Sequence, residues 1–297
     1  LAKIDAAQLV RNVRKSENWI HDVNSLLIRV KSKWTKTPEA IADRLEELKK
    51  DNPNIKPDPN RHWGLKTSFT DNLEFAVRQG SKENRRLRFL KDTPGRRRFL
   101  EIFDGKELLS YSKDFTPPNE FYLISNPRKS SIELFLPMSW PRAQYHVFWS
   151  SPISTEQILN EMGRAKEFVC VGREDYRGVD CYVLECEPRF FGGRVRRWYV
   201  GVKDGLLYGN MFLDGGRKSS EHWTLDYKEV APGCWYPMRQ GYELYNEKWF
   251  RTYLDSRRDL EVLEVRVNEE LPDKLFEMQF KPGVKVKDER TTPSGDD

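Results

Sequence analysis

The sequence predicts a mainly β fold of the α+β class, one sheet of about ten antiparallel strands with helices packed on one side. Three observations predict it. From residue 66 onward, apolar residues recur with a period of two. Glycine-bearing turns punctuate these runs, and helical spacing is confined to short stretches near the start and around residue 154. No internal repeat and no alternating strand-helix pattern competes with this reading.

Taken in order, Lys3 to Glu17 sets Ile4, Ala7, Val10 and Val13 at helical spacing with Leu9 beside them. The period then changes to two: Leu26, Ile28, Val30 and Trp34 alternate with Leu27, Arg29, Lys31 and Lys33. Thr37 and Pro38 open a second helix as N-cap and first residue, and it runs to about Lys50. The proline- and asparagine-rich run Asp51 to Arg61 reads as a loop.

Strands follow. Leu73, Phe75 and Val77 share one face, Leu87 and Phe89 alternate with Arg86 and Arg88, and Phe99 and Phe103 lie across from Leu100 and Ile102. Asp104-Gly105, Asp204-Gly205 and Gly215-Gly216 supply tight turns, so consecutive hairpins make a meander. Residues 114–150 break the rhythm with five prolines and a dense set of aromatics, including Phe121, Phe135, Trp140, Phe148 and Trp149. An aromatic insert of this length reads as a lid or a lining. Ser154 to Met162 predicts a third helix, and the last strands are Tyr236 to Tyr253, Leu260 to Val267 and Leu275 to Phe280. Residues 1–290 form a single domain on this reading, with 291–297 a disordered tail.

Composition narrows the function classes. Fifty-one basic and 46 acidic residues leave a net charge of only +5, so polyanion binding would need local clusters. Two exist, Arg85, Arg86 and Arg88 with Arg96, Arg97 and Arg98, and Arg194, Arg196 and Arg197. They read first as a solvated face, second as transient contact with phospholipid headgroups. No nucleic-acid motif accompanies them. No run of about 18 apolar residues predicts a spanning helix.

Catalytic and metal motifs are absent from the sequence: no HExxH, GxSxG, GxGxxG or phosphate loop, and no ligand spacing among His21, His62, His146 and His222. His222 stands out of phase with Trp223 and Leu225 and is expected to face solvent. Cys170, Cys181, Cys186 and Cys234 match no redox or zinc pattern. Buried free thiols are the first reading and a disulfide involving Cys170 or Cys234 the second; Cys181 and Cys186 should point to opposite faces. These features predict a protein without enzyme activity, metal or cofactor.

The order helix, strand, helix, meander, with Asp104-Gly105-Lys106 at a hairpin and Phe276, Phe280, Pro282, Gly283, Val284, Val286, Asp288 and Arg290 at the end, resembles the LolA-like lipoprotein carriers. Val179, Cys181-Tyr182-Val183-Leu184, Trp198-Tyr199-Val200 and Trp235-Tyr236-Pro237 are similar to the larger LolA-related envelope proteins. The resemblance spans most of the chain outside 114–150.

It implies an open half-barrel with helices on its concave face, and a periplasmic or envelope location reached by an export signal removed ahead of Leu1. It also implies a cavity that shields a lipid or lipoprotein acyl chain. The expected cavity residues are Leu26, Ile28, Val30, Trp34, Phe75, Val77, Phe89, Phe99, Phe103 and Tyr111, which seen plainly are also a core. The carriers fasten their helical lid with a strand arginine, and Phe75-Ala76-Val77-Arg78 matches that strand, although Gln79 stands where the family places proline. The insert either enlarges the pocket or plugs it. Two rivals stay open: a sensor of the same fold acting through an envelope protein partner, and an enzyme of unknown class.

Overall fold

Backbone N–H and C=O groups along each strand need partners on neighbouring strands, and the chain supplies them in one sheet. The computed structural model describes residues 5–17, 19, 23–59, 65–78, 86–104, 106–115, 118–125, 168–186, 194–248 and 251–290. The first helix, α1 (Ala6–Glu17), leads to β1 (Ser25–Lys36) and then to α2 (Pro38–Asp51). The meander runs through β2 (Ser68–Arg78), β3 (Arg86–Thr93), β4 (Arg97–Phe103), β5 (Leu108–Phe115) and β6 (Pro118–Ser125). It resumes with β7 (Val169–Tyr176), β8 (Val179–Cys186), β9 (Arg194–Gly201) and β10 (Leu207–Asp214). The long strands β11 (Arg217–Ala231), β12 (Cys234–Lys248) and β13 (Arg251–Val267) follow, and β14 (Lys285–Asp288) ends the sheet.

The order across the sheet is β14-β6-β5-β4-β3-β2-β1-β13-β12-β11-β10-β9-β8-β7, so it is open, with β14 and β7 at its edges. Every pairing is antiparallel except that of β14 with β6. β1 joins the halves: Ile28 stands between Phe75 on β2 and Val265 on β13. This register puts Leu26, Ile28 and Val30 on one face, here the inner face, and Leu27 and Arg29 on the other, the outer face.

The mainly β reading holds, but the described residues contain fourteen strands where about ten were expected, and two α-helices where three were expected. Part of the surplus lay hidden in the 114–150 segment, whose residues up to Ser125 complete β5 and form β6. The predicted strand Tyr236 to Tyr253 spans parts of two strands, β12 and β13. Ser154 to Met162, the rest of the insert and the 291–297 tail lie outside the described residues. Leu275 to Phe280 is not a strand. A 3-10 turn at Asp273–Phe276 and an extended run after it lie across the outer face instead of pairing with an edge.

α2 begins as its cap predicts, the Ala40 amide donating to Thr37 Oγ1 at 3.3 Å with Pro38 behind it. The Thr37 hydroxyl also donates to the Leu254 carbonyl at 2.7 Å, tying the helix to β13. α1 packs Ala6, Val10 and Val13 against Phe168, Leu184, Trp198 and Val200. Trp198 opposes Asn210, which leads through His222, Tyr242 and Arg258 to Trp34, so α1 lies on the inner face.

The C-terminal segment forms a strap over the outer face, burying Leu271 and Phe276 against Leu27, Ala76 and Ile102. Lys281-Pro282-Gly283-Val284 turns it back, with Gly283 at φ +80° as the third position of a type II turn requires. Phe280 packs on Tyr122 at 4.8 Å between ring centres, and Arg290 pairs with both Asp288 and Glu107. Most of the closing pattern read from the sequence is therefore the hardware of this strap.

Candidate ligand-binding site

The inner face of β13, β1, β2, β3, β4 and the start of β5 carries one continuous apolar surface. Leu26, Ile28, Val30, Leu73, Phe75, Val77, Leu87, Phe89, Phe99, Leu108, Leu260 and Val262 are buried together, and Phe103 packs against them. Eight of the ten expected cavity residues belong to this surface: Leu26, Ile28, Val30, Phe75, Val77, Phe89, Phe99 and Phe103. Trp19 closes one side, its ring edge on Tyr236 at 6.4 Å.

Trp34 shares the face but not the surface. It stacks on Phe69 at 6.0 Å with the Arg258 guanidinium 5.2 Å from its ring. Between it and the apolar residues runs a polar belt. Arg258 Nε donates to Ser32 Oγ at 2.8 Å, and Thr93 Oγ1 donates to the fully buried Asp71, whose other oxygen lies 3.3 Å from Lys91 Nζ. This belt bounds the apolar surface at one end.

Tyr111 is on the wrong face for a cavity residue. Leu100 opposes it, not Phe99, so it belongs to the outer face, where its hydroxyl donates to Glu120 at 2.6 Å and Lys281 Nζ sits 3.2 Å away under the strap. The phase of β5 is fixed by the hairpin before it, and apolar residues occur on both of its faces. Of the insert aromatics, Phe121 opposes Ser112 and lies half-buried on the inner face of β6. Phe135, Trp140, Phe148 and Trp149 lie outside the described residues.

Arg78 also points outward, being out of phase with Val77. It donates to Asp273 at 2.5 Å and to the Leu271 carbonyl, with Phe276 5.2 Å beneath its guanidinium. It fastens the C-terminal strap and not a helical lid. Arg78→Ala is expected to cost about 1–2 kcal/mol, chiefly by leaving the Leu271 carbonyl without its donor. Faster hydrogen exchange at the Leu275 amide, with the inner-face strands unchanged, checks this; unchanged exchange there contradicts it.

Several arginines of the two clusters are engaged, while Arg85 and the Arg194 side chain lie outside the described residues. Arg88 bonds Glu74 at 2.7 Å and the Leu275 carbonyl, Arg86 reaches Asp273, and Arg197 bonds Glu185 at 2.7 Å. Arg196 lies over Trp198 and Phe212 and bonds Asn210. His222 is half-buried, not solvent-facing: it leaves the Trp223 side as alternation requires, but the other side holds Tyr242 at 4.4 Å. Burial, with Arg196 nearby, lowers its pKa to about 4.

Cys181 and Cys186 do point to opposite faces, none of the four cysteines is in a disulfide, and only Cys181 is buried. Among the described residues no group of histidines, cysteines and carboxylates could hold a metal.

One inner-face residue escaped the sequence reading. Glu101 lies in phase with Phe99 and Phe103, opposite Phe89 on β3 and Ser110 on β5, and is 4% exposed. Ser110 Oγ donates to its Oε1 at 3.3 Å, while Oε2 has no hydrogen-bond partner. Burial pushes its pKa up to about 7. The signal was present as a lone acid between two phenylalanines of one phase.

The sequence matches no family model and no curated protein. In fold the chain is similar to a DUF1329 family protein from Desulfovibrio piger, at 14% identity over 92% of this chain and 98% of that one, with a TM-score of 0.45. It is similar to a putative outer membrane lipoprotein-sorting protein domain from Vibrio parahaemolyticus, at 10% identity over 91% and 95% of the chains and a TM-score of 0.45. A LolA superfamily protein from Nitrosomonas europaea is similar at 14% identity over 90% and 97%, with a TM-score of 0.40.

Proposed function

We propose that the inner face holds the acyl chain of a lipid or lipoprotein, without catalysis, in a half-barrel that serves transport in the periplasm or cell envelope. One observation carries this reading. The buried apolar residues of the inner face extend across β13, β1, β2, β3 and β4, with Glu101 set among them, while the matching outer surface carries the chain's own strap. Each methylene of a chain lying there would contribute roughly 0.8 kcal/mol before the costs of association. The sequence resemblance to lipoprotein carriers supports the cargo class and the compartment.

Native mass spectrometry of the purified protein beside organic extraction, followed by titration with a fluorescent fatty acid, tests the proposal. Stoichiometric, saturable binding displaced by phospholipid or lipopeptide is the expected result. A lipid-free protein that binds no chain contradicts it.

A second reading is favoured by one feature. β7 is an edge of the described sheet and exposes Val169 and Val171, at 57% and 51%. An open edge with apolar side chains accepts a partner strand, as an envelope sensor acting through protein contact would require.

A further inference from the structure

We propose that Glu101, with Ser110 and Ser112, forms a polar subsite within the apolar inner face that hydrogen-bonds the acyl carbonyl, ester or amide, of the bound chain. The inference rests on the acyl-chain reading above and adds the part of the ligand that would be recognised.

The geometry is that of a built site. Glu101, Ser110 and Ser112 are 4%, 7% and 2% exposed, on adjacent strands of one face. Phe99 and Phe103 flank Glu101 along β4, Phe89 stands across on β3, and Phe121 on β6 stands across from Ser112. Leaving a buried carboxyl oxygen without a partner is unfavourable, so a ligand that supplies the partner gains by it.

The partner's chemistry follows from the surroundings. The nearest charged residues on this face are themselves engaged: Lys91 with Asp71, and Arg97 with Asp114 at 3.4 Å and with Ser112 at 3.3 Å. No cation within the described residues bonds Glu101, and burial holds its proton up to about pH 7. A neutral carboxylic acid whose Oε1 accepts from Ser110 presents an O–H at Oε2. That donor fits a carbonyl oxygen. An acyl carbonyl arrives already attached to an apolar chain, whereas an ammonium group would have to be stripped of water to enter.

Displacement of diphenylhexatriene, a pure hydrocarbon probe, from the full chain tests the subsite. The competitors are methyl decanoate (ester), N-methyldecanamide (amide), undecane and decylamine. At pH 5.5 the ester, the amide or both should compete about tenfold better than undecane, and which of them does so identifies the carbonyl source. Glu101→Leu should abolish that preference with undecane competition unchanged. Glu101→Gln, which keeps a donor and cannot ionise, should hold the preference at both pH 5.5 and pH 8.5, while the parent protein loses it at pH 8.5. A preference that survives in Glu101→Leu, or a decylamine preference lost in Glu101→Gln, overturns the subsite while leaving chain binding intact. Failure of the probe to bind any form removes the acyl-chain reading itself.

Discussion

Glu101→Gln is expected to match the parent protein in stability near pH 4 and to exceed it by up to roughly 3 kcal/mol at pH 8. The sign follows from proton linkage. Glu101 has an ordinary pKa of 4.5 when unfolded and about 7 when folded, because burial disfavours the carboxylate. Below 4.5 both states carry the proton and there is no ionisation penalty. As pH rises from 4.5 to 7 the unfolded chain releases its proton while the folded chain keeps it, so stability falls. Above about 7 the penalty is constant, and the gap between 4.5 and 7 corresponds to roughly 3 kcal/mol. Glutamine keeps the Ser110 contact and has no charge to bury. Urea unfolding at pH 4 and pH 8 measures the difference; the same stability gap at both pH values contradicts the account.

Gly241→Ala is expected to destabilise the protein by about 2–3 kcal/mol through overpacking. A Cβ at this position would lie 2.1 Å from Trp223 Cζ2 and 2.2 Å from its Cε2. The Trp223 ring cannot move aside cheaply, since it is buried with the guanidinium groups of Arg177 and Arg257 at 5.0 and 5.6 Å from its centre. Arg177 is itself held by Glu221 and Glu243 at 3.3 and 3.4 Å. Gly172→Ala is the control: no atom lies within 4 Å of its Cβ position, and its effect should stay within about 0.5 kcal/mol. Equal effects of the two substitutions would show that the Trp223 packing is not what Gly241 serves.

Much of the candidate site was legible because a period of two fixes the face once one residue is placed. Ile28, Phe75 and Phe89 stand in one row across three strands, as their alternation required. The same rule set Arg78 opposite Val77, yet its partner could not be read, because Asp273 lies far along the chain. Tyr111 was assigned to the wrong face because β5 carries apolar residues on both sides, and only the hairpin register with Leu100 decides between them. The strap was visible as a pattern but not as a place: Phe276 and Phe280 look like strand residues, and what they cover is a tertiary fact. His222 shows the limit of the inside-outside rule in an open sheet, where the face opposite Trp223 is occupied as well. Glu101 was legible from its phase and was passed over because carboxylates are common throughout the chain.

The most direct measurement places a photo-crosslinking benzoylphenylalanine at Phe99 and, separately, at Leu100. These neighbours on β4 point to opposite faces, Phe99 into the apolar surface and Leu100 toward the strap. With radiolabelled palmitoyl lipid present, the account predicts a labelled adduct at Phe99 that unlabelled lipid suppresses, and none at Leu100. Labelling at neither position, or equally at both, contradicts an acyl chain held on the inner face.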